Sequence, residues 1–198
     1  MPGEDFLMRK RTQPDRIISE DDFACLVDAH QHRLHVYLAG LTGQPEQAFD
    51  LVQETFYDAW QAACKGHPPF VAGAAEADVR RWLYRVATNN ALSLLRHHRL
   101  IQWEPLDNHA ELLPDARTPF DDHLAESDIL RTALARLAPQ DAVCLLLRVV
   151  HGFSAREVGE MLRTSPENVN TRLARAKQRL RAAYEQRLPN RGEAPTFP

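Results

Sequence analysis

The chain has 198 residues, is 44% hydrophobic and 26% charged, and carries a formal charge of −3, the make-up of an ordinary globular protein with one medium or two small domains. No apolar run reaches the roughly 20 residues that span a bilayer, and the polar start MPGEDFLMRKRTQPDR has no signal-peptide core, so a cytoplasmic location without membrane insertion is expected. Cys25, Cys64 and Cys144 are far apart and belong to no Cys/His ligand pattern, which argues against a disulfide framework or a zinc site and leaves no metal or other cofactor to expect.

Residues 1–18 are polar, carry Arg9-Lys10-Arg11 and read as a disordered tail. A first helix is expected from Ser19–Asp21, with Phe23, Leu26, Val27, Leu34 and Leu38 at helical spacing, broken by Gly40 to Pro45. His30, His32 and His35 do not share one face of it and read as solvated residues. Pro45 suits the first turn of a second helix, whose stripe is Ala48, Leu51, Val52, Thr55, Phe56, Ala59 and Trp60. Gly66, Pro68, Pro69 and Gly73 mark a loop. Asp78 is placed to cap a third helix, which turns Trp82, Leu83, Val86, Leu94 and Leu95 inward and ends near Arg99.

The next segment changes character. From Ile101 to Glu126 there are seven acids against Arg117 alone, with Pro105, Pro114 and Pro119 among them, the composition of a flexible acidic linker. Basic stretches flank it: Val79–Leu100 holds five arginines and no acid, and Ser127–Leu188 holds 11 Lys/Arg against 6 Asp/Glu. The modest net charge therefore conceals two candidate nucleic-acid faces.

After the linker, Ile129, Leu130, Ala133, Leu134 and Leu137 predict a short helix, and Pro139 starts another that Gly152 ends. Ser154-Ala-Arg-Glu157 is a capping box, and Ser165-Pro166 supplies an N-cap and a proline at the first helical position. Two helices joined through Arg163-Thr164 form a helix-turn-helix pattern. On the last helix Val169, Leu173, Ala176 and Leu180 share one face, while Asn168, Thr171, Arg172 and Arg175 lie off it. In such motifs the second helix enters the major groove with its N-terminal residues on base edges, and Asn and Arg pair bidentately with adenine and guanine. Ser165 stands at the start of that reading set; Lys177, Arg179 and Arg181 are better placed for phosphates. The acids lie mostly in the linker and on solvent faces, not in the cluster that metal-assisted hydrolysis needs, so no catalytic residue is assigned.

These segments resemble a known family. Leu137-Ala-Pro-Gln-Asp-Ala-Val-Cys-Leu-Leu-Leu-Arg-Val-Val-His-Gly-Phe-Ser-Ala-Arg-Glu-Val-Gly-Glu-Met-Leu162 resembles the start of region 4 of sigma-70-type factors, and Pro166–Leu180 its recognition helix. Phe49-Asp-Leu-Val-Gln-Glu-Thr-Phe-Tyr-Asp-Ala-Trp60 and Arg81-Trp-Leu-Tyr-Arg-Val-Ala-Thr-Asn89 are similar to its region 2. Two regions with nothing beyond them match the extracytoplasmic-function group. The resemblance implies an all-α protein of two small helical domains: region 2 over 19–100, an acidic linker over 101–126, region 4 over 127–188, and a tail over 189–198.

It also implies a sigma factor, not an enzyme. Core RNA polymerase would be bound on the clamp helices of its largest subunit by Asp50, Gln53, Glu54, Asp58 and Trp60. The −10 promoter element would be held by Arg80, Arg81, Arg85, Asn89, Arg96 and Arg99, and the 65–78 loop would trap an unstacked base. The −35 element would be read by Ser165, Asn168, Thr171, Arg172, Arg175 and Lys177. Trp82 and Tyr84 are candidate stacking residues, Trp82 being first a core residue. An anti-sigma factor is the further partner implied. The alternative is a helix-turn-helix regulator that never engages polymerase, although such a protein has no use for Asp50–Trp60. Departures from the family pattern fall at Phe49, Ser93, Arg163, Glu167, Asn168 and Asn170.

Overall fold

The computed structural model describes residues 19–70, 74–101, 132–134 and 136–185, and among these there is no strand. The expected linker, both tails and part of the helix expected around Ile129–Leu137 lie outside the described residues.

The first unit is three helices, α1 (Glu20–Thr42), α2 (Pro45–Cys64) and α3 (Glu76–Ile101). Ser19 caps α1, its hydroxyl accepting from the Asp22 amide at 3.1 Å. The helix runs through Gly40 and stops at Gly43, where φ of 73° lets the amide return to the Ala39 carbonyl. α3 begins two residues before Asp78; that carboxylate pairs with Arg81 at 3.2 Å instead of capping the helix. Leu34, Tyr37 and Leu38 of α1, Leu51, Phe56 and Ala59 of α2, and Leu83, Ala87 and Ala91 of α3 meet in one core, each large side chain contributing about 1.5–3 kcal/mol by leaving water. Its polar members are satisfied: the Tyr37 hydroxyl meets Thr88 Oγ1 at 2.7 Å, and Thr88 donates to the Tyr84 carbonyl at 2.6 Å. The expectation of three solvated histidines fails at His30, which is buried. Burial lowers its pKa first and the Arg80 and Arg33 guanidiniums add to this, Glu76 opposing them.

The second unit is α4 (Pro139–Leu145), a π-helical turn (Leu146–Val150), α5 (Ala155–Leu162) and α6 (Pro166–Glu185). The π turn, the wider winding that often marks functional segments, hands the chain to Gly152, whose φ of 70° reverses it. Val143, Leu147, Phe153, Val158, Met161, Val169 and Ala176 are buried together.

The two units touch. α4 and α5 lie against α3, and the π turn lies against α1. Cys144 is buried, which pushes its thiol up to about 11, whereas Cys25 and Cys64 are exposed free thiols.

Candidate nucleic-acid interface

The helix-turn-helix forms as its sequence dictates. Ser154 Oγ accepts from the Glu157 amide while Glu157 Oε2 accepts from the Ser154 amide at 2.8 Å, both halves of a capping box. These hydroxyl and amide donors hold the Glu157 carboxyl below its usual range. At the far end Arg163 takes the left-handed conformation, φ 53°, and Thr164 N returns to the Gly159 carbonyl at 2.9 Å. Ser165 Oγ then accepts from the Asn168 amide at 3.3 Å and opens α6.

Val169 and Ala176 of α6 are fully buried, with Leu173 and Leu180 packed against the core beside them, so the expected inward face is present. Asn168, Thr171 and Arg175 are exposed on the other side, and Ser165 at the cap and Lys177 are exposed as well. Besides the Ser165 cap, Asn168 Nδ2 donates to Thr164 Oγ1 at 2.9 Å, and Thr171 Oγ1 to the Glu167 carbonyl at 2.9 Å. Arg172 stands apart from this group. It is part-buried and its Nη1 lies 3.3 Å from Asp141 Oδ1, while Arg179 Nη1 lies 3.5 Å from Asp141 Oδ2. Asp141, 1% exposed, thus ties α6 to α4. The sequence hint was an acid inside the apolar run Asp141-Ala-Val-Cys-Leu-Leu-Leu147, opposite a basic helix.

On α3, Arg85, Asn89 and Arg96 are exposed, and the side chain of Arg99 lies outside the described residues. Arg80 and Arg81 are part-buried and spoken for. Arg80 Nη2 donates to the His151 carbonyl, and its guanidinium carbon sits 4.3 Å from the Phe153 ring centroid. Arg81 Nη2 lies 3.4 Å from Glu157 Oε1. Tyr84, a candidate for stacking on a base, is 1% exposed beneath His151 and Phe153, at ring distances of 4.9 and 5.1 Å. Trp82 is half-buried edge-on to Phe70 at 4.8 Å. It lines, with Pro68, Pro69, Asp78, Arg81 and Arg85 of the first unit and Glu160 and Met161 of the second, a cleft of about 260 Å³. On α2, Asp50, Gln53 and Glu54 are exposed in one band with Phe49 and Tyr57. Asp58 instead accepts from Asn90 at 3.3 Å, and Trp60 packs edge-on against Phe23 at 4.9 Å.

His151 is the hinge of the contact. Its Nδ1 meets the Tyr84 hydroxyl at 2.9 Å, and its Nε2 is buried without a hydrogen-bond partner. Burial lowers its pKa to about 4, with the Arg80 and Arg33 guanidiniums adding to the shift. A base with a depressed folded pKa stabilises the structure while neutral, so that contribution is intact above about 6.5 and lost as pH falls from there toward 4. Lowering pH from 7 to 5 should therefore cost about 1–2 kcal/mol. His151→Gln should flatten the thermal midpoint over that window, and an equally steep profile in that variant would assign the effect to other groups.

A model of sigma-70 region 2 matches residues 26–101 and one of sigma-70 region 4 matches residues 127–180. The chain is 28% identical over 183 residues to the ECF RNA polymerase sigma factor SigG of Mycobacterium tuberculosis, covering 80% of this chain and 48% of that protein. It thus spans about half the length of that relative. Against the ECF RNA polymerase sigma factor SigW of Bacillus subtilis it is 23% identical over 191 residues, covering 89% of this chain and 96% of that one. The fold is also that of the sigma factor RpoE solved with the anti-sigma factor NepR from Bartonella quintana, with a TM-score of 0.62 at 20% identity over 83% of this chain and 98% of that one. CnrH, solved with the cytosolic domain of CnrY, gives 0.61 at 22% identity over 85% and 91%. Both regional models match in chain order, on two helical units that carry the expected caps and faces, and the chain belongs to the sigma-70 family, in its extracytoplasmic-function group.

Proposed function

We propose that this chain is a cytoplasmic promoter-recognition subunit that binds core RNA polymerase and directs initiation, without catalysis of its own. The observation that carries this reading is the division of α6: a buried Val169–Ala176 face, and an exposed group of Ser165, Asn168, Thr171, Arg175 and Lys177 suited to a major groove. That group reads the −35 duplex, with Arg172 kept for anchoring. Arg85, Asn89 and Arg96, joined by Arg80, Arg81 and Arg99, hold the −10 strand by charge and stacking, and the cleft beside Trp82 accepts an unstacked base. The exposed band Asp50–Gln53–Glu54 docks on the polymerase clamp helices. Asp58 and Trp60, engaged with Asn90 and Phe23, act there by shaping α2. The acidic 101–126 segment is the linker between the two regions, and an anti-sigma factor is the expected inhibitor. A regulator indifferent to polymerase is not favoured, because it leaves the exposed carboxylate band of α2 without a role.

Asp50→Arg should abolish retention by immobilised core polymerase while leaving binding of −35 duplex intact. Arg175→Ala should weaken that duplex by about 1–3 kcal/mol if it meets a base edge, and Lys177→Ala should lower the salt slope by about one. A wild-type chain that binds promoter duplex yet is never retained by core polymerase refutes the proposal.

A further inference from the structure

We propose that Glu167 is a base-selecting residue of α6: its carboxylate accepts from the exocyclic amine of a cytosine in the major groove, so that the −35 element of this chain carries a C·G pair at that place. This rests on the reading of α6 as the −35 helix.

The turn that opens α6 leaves Glu167 at the head of its outward face. With about 3.6 residues per turn, Glu167 stands about 160–180° around the helix from Val169 and Ala176, which are both fully buried. Thr171 and Ala174, also exposed, continue its line one and two turns on. The polar side chains nearest to it are engaged. Arg172 Nη1 lies 3.3 Å from buried Asp141, and Asn168 Nδ2 donates to Thr164 Oγ1 at 2.9 Å. Thr171 gives its hydroxyl hydrogen to the Glu167 carbonyl at 2.9 Å, which leaves a methyl group and an acceptor for a base edge. Arg175 lies about 12 Å further along the axis, so it meets a different base pair from Glu167.

The carboxylate is oriented and charged. Its own backbone amide and the Ser165 hydroxyl hold it below the usual carboxylate range, while Ser165 Oγ accepts from the Asn168 amide at 3.3 Å. An ionised carboxylate only accepts. In the major groove guanine presents N7 and O6 and thymine presents O4, all acceptors, which repel it. Adenine and cytosine present amines, but the adenine amine stands beside the acceptor N7, whereas cytosine N4 has no acceptor beside it on its own ring. Cytosine is therefore the base that this group prefers. The same charge is repelled by phosphates at every sequence, and only the right base offsets that repulsion. Glu167 thus selects by disfavouring the wrong sites as much as by binding the right one.

The test uses the full-length chain and a randomised duplex library, with the bound fraction sequenced to give the base preference at each position. Wild type should enrich cytosine over each other base at one position by about tenfold or more. Glu167→Ala should level that position and leave the rest of the motif in place. Glu167→Gln should turn it to adenine, with which a Gln amide pairs bidentately. Both substitutions fall on an exposed side chain outside the core, so both variants fold. A cytosine preference that survives in either variant overturns the proposal, as does a wild-type motif that contains none. The two readings fail differently: a wild-type chain that enriches no motif refutes α6 as a promoter reader, whereas a motif identical in wild type and Glu167→Ala refutes the role of Glu167 alone.

Discussion

Replacing Gly159 by alanine is expected to lower the stability of the helix-turn-helix by about 2–3 kcal/mol, the upper range for an overpacked core. A Cβ at this position would lie 2.7 Å from the Thr164 carbonyl oxygen and 3.5 Å from the Pro166 nitrogen. Both are backbone atoms of the turn that aims α6, so relief requires the turn itself to shift. The hydrogen bond from Thr164 N to Gly159 O closes the same ring and would be strained with it. Duplex binding should fall together with stability, because the turn sets the entry angle of the reading helix. Urea unfolding of the full chain measures the first effect, and a change below about 0.5 kcal/mol, the ordinary range for a surface substitution, would show that the turn has room to adjust.

Asp141→Ala is the second large effect, expected at about 2–3 kcal/mol. Breaking a fully buried ion pair from one side typically costs about 3–5 kcal/mol. Here the carboxylate is buried but Arg172 and Arg179 are 27% and 53% exposed along their side chains, so water recovers part of the loss. Arg172→Ala should echo it, leaving Asp141 with Arg179 alone, and a double-mutant cycle between 141 and 172 should show coupling of about 1 kcal/mol. Arg175→Ala, on the exposed side, should instead leave stability unchanged and act on DNA. Additive 141 and 172 effects, or an Arg172→Ala variant that loses only DNA binding, would return Arg172 to the base-reading role that its place on the helical wheel suggests.

Local rules in the sequence were sufficient wherever neighbours along the chain do the work. Ser19, the Ser154/Glu157 box, Ser165-Pro166 and the buried stripe of α6 all depend on residues within one or two turns, and each forms as its pattern requires. The pattern misjudged Asp78, because an acid in the first turn serves the helix equally well as a partner for Arg81 three residues on. The stop of α1 falls inside the expected Gly40 to Pro45 break: the helix ends at Thr42 and Gly43 takes the αL exit.

By itself the sequence determined that the protein is helical, that it has two basic segments around an acidic one, and that its last helix sets an apolar face against a polar, basic one. Periodicity, caps and charge are local quantities, and they survive whatever the rest of the chain does. Only the tertiary structure decided which of the charged and aromatic groups are free. The family resemblance assigned Arg80, Arg81 and Tyr84 to DNA, yet their partners His151, Phe153 and Glu157 lie about 70 residues away in sequence. His30 reads as solvated until α3 covers it, and Arg172 reads as a base contact until buried Asp141 takes its guanidinium. Burial and pairing across such separations are set by how the units pack, and no helical period carries that information.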